Sequence, residues 1–214
     1  MADNYLEKRY EETLGSQRPK VKRVGNTVDS LLAKSRSHRG YNPAYVVSRS
    51  ELERIAGVCT KLPSGCNQQV LRYLLVTRDT GADRVLPLLK MGAALPELHL
   101  PLPGTAPEAF IVCCSVVPES RLVDVDLGIA LQSMALKAVE MGLNTLMIGA
   151  FDRVRLREAF ALEAEPLMVL AVGKGTDRIE LVPTAADAPR AYWRENGVHY
   201  VPKLRLQDLL LNHA

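Results

Sequence analysis

A short basic segment near the start of the chain carries groups that suit an oxyanion. The run Ser35-Arg36-Ser37-His38-Arg39-Gly40-Tyr41, here termed the first loop, places two guanidinium groups and two hydroxyls within five residues. Arginine forks offer paired donors to phosphate oxygens, and short hydroxyls add further donors. The segment therefore predicts a phosphate-binding loop. For so short a run, a solvated helix end is the ordinary alternative.

A second polar segment follows a predicted helix. Residues Pro63-Ser64-Gly65-Cys66-Asn67-Gln68-Gln69, here termed the amide loop, are rich in side-chain amides. Asparagine and glutamine each carry donors and an acceptor, which recognition of a ring with mixed C=O and N–H edges requires. An ordinary turn composed of turn-forming residues is the alternative interpretation.

The sequence offers no convincing nucleophile–base pair and no metal site. Its four histidines are dispersed: His38, His99, His199 and His213. Its four cysteines, Cys59, Cys66, Cys113 and Cys114, lack the spacing of metal ligands. Because two of them are adjacent in an apolar run, buried thiols are favoured over a disulfide. We therefore expect a reduced, cytoplasmic protein.

Length and composition indicate one globular domain. The 214 residues suit a single full-sized domain, and a hydrophobic fraction of 47% permits a packed core. The formal net charge of +3 is too small to imply nucleic-acid binding by itself. No apolar run approaches the ~20 residues that a membrane span needs. The polar, charged start does not have the pattern of a signal peptide.

Residues 1–26 are predicted to form an N-terminal arm ahead of one domain over residues 27–214. The arm contains a basic cluster: Arg18, Lys20, Lys22 and Arg23. Such a cluster could bind nucleic acid, but a solvated tail or an arm laid on a partner subunit is the more ordinary interpretation. Nucleic acid is therefore the less favoured partner.

Helical and strand patterns follow one another along the domain. Ser48 and Ser50 each fit a capping box at the start of a helix that Pro63 ends. Residues 70–77 have the composition of a strand, and the continuous apolar run over 109–117 predicts a central strand. The other predicted elements are helices over 26–33, 83–89 and 207–211, strands over 143–148 and 167–173, and a helix capped by Asp152 that runs to Phe160.

The longest predicted helix runs from about Leu127 to Met141 and is closed by Gly142. Asp124 or Asp126 is its predicted cap. The helix is apolar nearly all round and contains several small residues, so another helix could approach it closely. The pattern predicts a buried helix, either within the core of one subunit or across a subunit interface.

The order of these segments resembles the FMN-dependent nitroreductase family over roughly residues 28–211. The first loop resembles the family's Arg-x-Ser-x-Arg/Lys-x-aromatic flavin loop, and the amide loop resembles its Pro-Ser-x-x-Asn-x-Gln segment. The run Asp126-x-Gly128-x-Ala130-x-Gln132, closed by Gly142-Leu143, is similar to its central helix. Pro202-Lys203-x-Arg205 is similar to its C-terminal phosphate-binding pair.

The resemblance implies an α+β fold of the nitroreductase type. Such a fold has a central, mostly antiparallel sheet flanked by helices, with the long central helix buried at a dimer interface. It further implies a homodimer with FMN at the subunit interface, acting on a small-molecule electron acceptor rather than on a membrane or nucleic acid.

The resemblance also implies the contacts of the cofactor. The contacts to the phosphate and the pyrimidine edge would be Arg36, Ser37, Arg39, Lys203 and Arg205. The contacts along the isoalloxazine would be Pro63, Ser64, Asn67 and Gln69, together with backbone groups of Ile148, Gly149 and Ala150 near N5 and O4. No catalytic side chain is implied, because the chemistry takes place on the flavin.

The implied activity is an NAD(P)H-dependent oxidoreductase with a ping-pong mechanism. NADH or NADPH would pass a hydride to flavin N5 and leave, and an electron-poor acceptor such as a nitroaromatic or a quinone would then take its place. A non-catalytic FMN-binding protein of the same fold is the alternative.

Several positions depart from the family pattern. Ser35 stands where many members have arginine, and Val70-Leu71 replaces the usual Pro-Trp. Gly149-Ala150 replaces an acidic residue and glycine found in some members. Residues 90–108 contain no aromatic residue that could cover a flavin. These departures leave flavin binding as the expectation and the substrate class open.

Overall fold

Four apolar strands form an antiparallel sheet at the centre of the domain. The computed structural model of the protein describes residues 27–92 and 100–211, so the predicted arm lies outside the described residues. The strands run in the order β1-β2-β4-β3, and each neighbouring pair is antiparallel. Their bounds are β1 Leu71–Val76, β2 Phe110–Ser115, β3 Asn144–Ile148 and β4 Glu165–Gly173.

Strand β2 is buried on both faces, which explains its unbroken apolar sequence. Because side chains alternate along a strand, Ile111 and Cys113 join one core cluster while Val112 and Cys114 join the cluster on the opposite face. The two adjacent cysteines therefore lie on opposite sides of the sheet. All four cysteines of the chain are free thiols.

Six α-helices accompany this sheet within the described residues. They are α1 Val28–Lys34, α2 Arg49–Ala56, α3 Ala82–Val85, α4 Arg121–Glu140, α5 Arg153–Ala159 and α6 Leu206–Leu209. Helix α2 starts with the predicted capping box of Ser48 and Glu51, whereas Ser50 lies inside the helix. The predicted cap of α5 is also confirmed, because Asp152 accepts a hydrogen bond from the Arg155 N–H at 3.0 Å.

The long helix α4 begins at Arg121 rather than at Leu127. Ser120 is its cap, since its hydroxyl accepts a hydrogen bond from the Val123 N–H. The prediction that Asp124 or Asp126 caps this helix is therefore wrong. Both acids lie within the helix, and Asp126 is buried against the amide loop.

A second sheet, absent from the sequence predictions, covers the C-terminal part of the chain. It has the order β5-β7-β6, with β5 Arg178–Thr184, β6 Trp193–Glu195 and β7 Val198–Leu204. Strands β6 and β7 form a hairpin whose turn residues, Asn196 and Gly197, have φ values of 48° and 76°. Asn-Gly favours such two-residue turns because both positions need positive φ. Strands β5 and β7 are parallel.

The first loop is held against the edge of the central sheet. Ser37 forms a parallel bridge with Thr145 of the edge strand β3, and the His38 N–H donates to the Thr145 carbonyl at 3.1 Å. Beyond the loop, the Asn42 N–H donates to the Lys174 carbonyl at 2.8 Å. Backbone hydrogen bonds therefore fix where the basic side chains of the first loop are presented.

Gly173 at the end of β4 is required for the close approach of the first loop. A Cβ at this position would lie 2.6 Å from Cδ1 of Tyr41, a ring that is only 3% exposed. We expect Gly173→Ala to lower the free energy of unfolding by about 1–3 kcal/mol, because the buried ring has little room to move. Urea unfolding would measure it, with Gly57→Ala as the control, since a Cβ on Gly57 meets nothing within 4 Å. Equal stability of the two variants would contradict this packing.

Candidate functional site

Cationic residues from the two ends of the domain line one cavity of about 340 Å³. Arg36 and Arg39 come from the first loop, and Lys203 comes from β7. No aspartate or glutamate occurs among the described residues that line this space, here termed the cation cavity. Its walls therefore carry positive charge without internal neutralisation, which suits an anionic ligand.

Residues from several elements complete the walls of the cation cavity. The alternation of β7 places His199, Val201 and Lys203 on one face of the strand, and all three line the cavity. The remaining lining residues come from the first loop, α4, β3, β5 and the segment before β6: Ser35, Ser37, Gln132, Ala135, Thr145, Met147, Ile179 and Tyr192.

Asp177 fixes the backbone of the first loop through hydrogen bonds. Its carboxylate accepts the backbone N–H groups of Arg39 and Gly40 at 2.6 and 3.0 Å, and the Arg194 guanidinium at 2.7 Å. Burial alone would raise the pKa of this carboxyl, but these hydrogen bonds and the charges of Arg194 and His38 hold its pKa below the usual value. The ionised Asp177 thus fixes the backbone that carries Arg39.

Two buried nitrogen atoms at the cation cavity have no hydrogen-bond partner among the described residues. They are Nε of Arg36 and Nδ1 of His199. Burial lowers the pKa of the Arg36 guanidinium, but arginine stays protonated in proteins, so its Nε is an unused donor. An unpaired buried donor costs about 1–3 kcal/mol, which an arriving acceptor would offset. The donor set therefore fits a phosphate group.

The sequence reasoning missed Tyr192, His199 and Asp177. The guanidinium of Arg39 lies over the Tyr192 ring, 5.0 Å from its centroid, and the His199 ring is 5.0 Å from the same centroid. The Asn-Gly turn signal could have found the hairpin that presents His199. No local signal indicates Asp177, because its partners Arg39 and Gly40 lie far away in the sequence.

Arg205 does not line the cation cavity. It follows the last residue of β7, and its guanidinium pairs with Asp208 at 2.8 Å. The predicted pair of Lys203 and Arg205 is therefore divided, with Lys203 in the cavity and Arg205 on an exposed ion pair.

The amide loop lines a different cavity of about 240 Å³, through Pro63, Ser64 and Gln69. Asn67 lines neither this cavity nor the cation cavity. Helix α4 borders both spaces. Its Asp126 and Ala130 face the amide-loop cavity, while Gln132 and Ala135 face the cation cavity.

Asp126 fixes the shape of the amide loop. Its carboxylate accepts the Ser64 hydroxyl at 2.6 Å and the Gly65 N–H at 2.9 Å. Three residues of this loop other than glycine have positive φ: Cys66 at 49°, Asn67 at 53° and Gln69 at 50°. Such conformations persist only where surrounding contacts impose them, and they cluster at functional sites.

The segment after β3 presents backbone rather than side chains. The Ile148 side chain is buried in the core, so only its backbone could reach a ligand. Gly149 follows the last residue of β3, and a Cβ there would lie 3.4 Å from the sulfur of Met168. The Ala150 carbonyl already accepts the Lys90 N–H at 2.8 Å.

Neither a metal site nor a membrane-spanning helix is found in residues 27–92 and 100–211. No group of three or more histidine, cysteine, aspartate or glutamate residues there could hold a metal ion. None of the helices in this part of the chain combines the length and apolarity that crossing a membrane demands.

Comparison with known proteins identifies the relatives of this chain. Residues 115–174, which include α4, β3, α5 and β4, match the model of the nitroreductase family. A curated relative is YdgI of Bacillus subtilis, a protein named for NAD(P)H nitroreductase activity. It is 23% identical over 188 residues, which cover 71% of this chain and 90% of YdgI.

Solved structures share the fold at low sequence identity. A nitroreductase-type protein from Desulfovibrio desulfuricans, in complex with FMN, is 20% identical with a TM-score of 0.65, covering 89% of this chain and 99% of that one. Another from Exiguobacterium sibiricum, also in complex with FMN, is 22% identical with a TM-score of 0.58, covering 72% and 91%. The predicted α+β fold is thereby confirmed as nitroreductase-like. The match of residues 115–174 to the family model and the similarity to YdgI confirm the resemblance to the nitroreductase family.

Proposed function

We propose that the protein is an FMN-dependent oxidoreductase of the nitroreductase type. In this proposal NADH or NADPH is the reductant, and an electron-poor small molecule such as a nitroaromatic or a quinone is the acceptor in a ping-pong mechanism. The observation that carries the proposal is the cation cavity, where Arg36, Arg39 and Lys203 converge without a carboxylate. The FMN complexes of two proteins with the same fold support it.

The phosphate of FMN would occupy the cation cavity. Arg36, Arg39 and Lys203 would donate charge-assisted hydrogen bonds, with the hydroxyls of Ser35 and Ser37 as further donors. We assign Arg205 a smaller role than Lys203, because its ion pair with Asp208 must be broken before it can bind a phosphate.

The ring of FMN would be recognised by the amide loop and by the segment after β3. Asn67 and Gln69 offer amide donors and acceptors, and Asp126 holds the loop that carries them. The backbone of Ile148, Gly149 and Ala150 would lie near N5 and O4. The FMN ring, when bound, would supply the hydride transfer, and the chain would supply orientation and a positive field that favours negative charge on the ligand.

One chain does not bring these two sets of residues into one cavity. The amide loop and the cation cavity are separate spaces along α4. We infer a homodimer in which the amide loop of one subunit approaches the cation cavity of the other. An exposed apolar strip on α4, with Leu122 46% and Val125 50% exposed, supports an interface on this helix.

Gly128→Ala tests the dimer through this strip. Within one chain a Cβ on Gly128 meets nothing within 4 Å, so alanine alone would stabilise the helix by about 1 kcal/mol. Against a closely packed second copy it would clash, costing about 1–3 kcal/mol. We expect Gly128→Ala to raise the dimer dissociation constant, measured by analytical ultracentrifugation, at least fivefold. The control variant Gly57→Ala should have the dissociation constant of the wild type. A wild-type monomer, or an unchanged Gly128→Ala dimer, would contradict the interface.

The proposed activity is tested by the absorbance spectrum and by anaerobic reduction. We expect the purified protein to be yellow, or to become so with added FMN, and to bleach when NADH or NADPH is added without oxygen. Reoxidation by a quinone or nitroaromatic should complete the cycle. A colourless protein that takes up no FMN would contradict the proposal.

A non-catalytic FMN-binding protein is the second candidate. The absence of aromatic residues over 90–108 favours it, because nothing aromatic in that segment would cover a flavin. This candidate predicts bound FMN that neither nicotinamide reduces faster than free FMN. In either case we place the protein in the cytoplasm, consistent with its four free thiols.

A further inference from the structure

His199 is a buried histidine that the motifs of the chain do not assign to any role. It lies on β7 with Val201 and Lys203 along the wall of the cation cavity, and the residue is 3% exposed. Its Nδ1 is buried and has no partner among the described residues. A buried polar atom without a partner is rare in folded proteins, and the place of His199 on the cavity wall makes this nitrogen a candidate contact for a ligand bound there.

Charged groups from several elements face this imidazole. Arg39 of the first loop and Arg194 of β6 disfavour its protonation, and Asp177, which precedes β5, favours it. Burial is the largest influence, and the pKa of His199 is lowered as a result. Lys203 adds a further positive charge on the same face of β7. The imidazole is therefore neutral at neutral pH while the cavity holds no anion.

A dianion in the cavity would reverse this electrostatic balance. Its negative charge would offset Arg39, Arg194 and Lys203 and would favour the imidazolium, which can donate a hydrogen bond from each ring nitrogen. The ring is held in place by Tyr192, whose centroid is 5.0 Å away and whose face also carries the Arg39 guanidinium. His199 is thus positioned beside the residues that would bind the phosphate.

Resting on the proposed function, we propose that His199 is a ligand-binding residue of the cation cavity that takes up one proton from solvent when a phosphate dianion binds. The protonated imidazole then donates a hydrogen bond to the phosphate. Retention of a phosphorylated flavin becomes pH-dependent, whereas a flavin without phosphate gains nothing from this residue.

Histidine NMR tests this directly, because the chain has only four histidines. The His199 signal is assigned by its loss in His199→Gln and titrated with and without FMN. His38→Gln is the matched control, since His38 is also buried with an unpartnered Nδ1 but does not line the cation cavity. We expect FMN to raise the His199 pKa by at least one pH unit, and riboflavin to leave it unchanged. An FMN complex with the His199 pKa unmoved would overturn the proposal.

Affinity measurements give a second readout. His199→Gln is expected to bind FMN at least tenfold more weakly at pH 6 and to bind riboflavin within twofold of the wild type. The second ionisation of the phosphate near pH 6 is common to both proteins and cancels in the comparison. Equal losses for FMN and riboflavin, or an unchanged FMN affinity, would mean that His199 is only a packing residue.

Inorganic phosphate separates this proposal from the proposed function. If phosphate raises the His199 pKa although FMN does not bind, the anion site stands and the flavin assignment fails. If FMN binds and leaves His199 unaffected, the flavin assignment stands and the role of His199 fails. If neither ligand binds, both are overturned. Circular dichroism of the variants confirms that each is folded.

Discussion

Asp177→Ala is expected to lower the free energy of unfolding by about 3–5 kcal/mol, because it removes one partner of a buried ion pair. The Asp177 side chain is 8% exposed and is paired with Arg194 at 2.7 Å. Its removal also frees the backbone N–H groups of Arg39 and Gly40. The first loop should therefore loosen, and FMN retention should fall together with stability.

Asp177→Asn is the control variant, since the amide keeps the size of the side chain and one acceptor oxygen but loses the charge. We expect its loss of stability to lie between those of the wild type and Asp177→Ala in urea unfolding. If Asp177→Ala unfolds within 1 kcal/mol of the wild type, the carboxylate does not hold the first loop.

The same residue gives a pH dependence with a definite sign. The pKa of Asp177 is lower in the folded protein than its usual value of about 3.9. The contribution of ionised Asp177 to the free energy of unfolding is therefore present above about pH 4. It is lost as the pH falls through the pKa that this carboxyl has in the folded protein. The stability difference between wild type and Asp177→Asn should be constant from pH 6 to 5 and should shrink below pH 4. A difference that grows on acidification would contradict this assignment.

Replacing Arg39 and Lys203 together by alanine should weaken FMN binding by about 3–6 kcal/mol. Each residue is expected to give one charge-assisted hydrogen bond of about 1.5–3 kcal/mol to the phosphate. This corresponds to a dissociation constant raised by roughly 10²–10⁴-fold. Flavin titration followed by fluorescence measures it.

Three single variants sharpen this experiment. Arg178→Ala removes an exposed arginine that pairs with Glu180 and does not line the cation cavity, so FMN affinity should be unchanged. Arg205→Ala should weaken binding less than Lys203→Ala, because Arg205 is engaged with Asp208. A double variant with wild-type FMN affinity would show that the phosphate does not bind in the cation cavity. A larger loss of affinity for Arg205→Ala than for Lys203→Ala would show the same.

Local signals in the sequence are sufficient to predict the central strand β2 and the starts of α2 and α5. The capping box at Ser48, the cap at Asp152 and the apolar run of β2 each depend on residues close together in the chain. The start of α4 was misplaced because Asp126 has the residue type of a cap. Its carboxylate instead binds Ser64, a contact that no local pattern records.

The second sheet was missed for a related reason. Strands β5 and β7 are parallel neighbours in the sheet. Because β6 lies between them in the sequence, their pairing is non-local. Neither strand shows a regular alternation of buried and exposed residues, and they contain Pro183 and Pro202, which weakens the strand pattern. The Asn196-Gly197 turn was the available signal, and it would have predicted the β6–β7 hairpin.

Some residues of the candidate site could be predicted from the sequence, and others could not. The basic residues Arg36, Arg39 and Lys203 could be singled out by type and by family resemblance, and the structure brings them to one cavity. Asp177 and His199 act through contacts with residues that are distant in sequence or in another strand, so their roles depend on the folded structure.

A crystal structure of the protein soaked with FMN would show directly where the phosphate and the ring bind. We expect the phosphate within hydrogen-bond distance of the Arg39 guanidinium and the Lys203 ammonium group, with the ring reached by the amide loop of a second subunit. A phosphate bound elsewhere, with the cation cavity free of ligand, would contradict it.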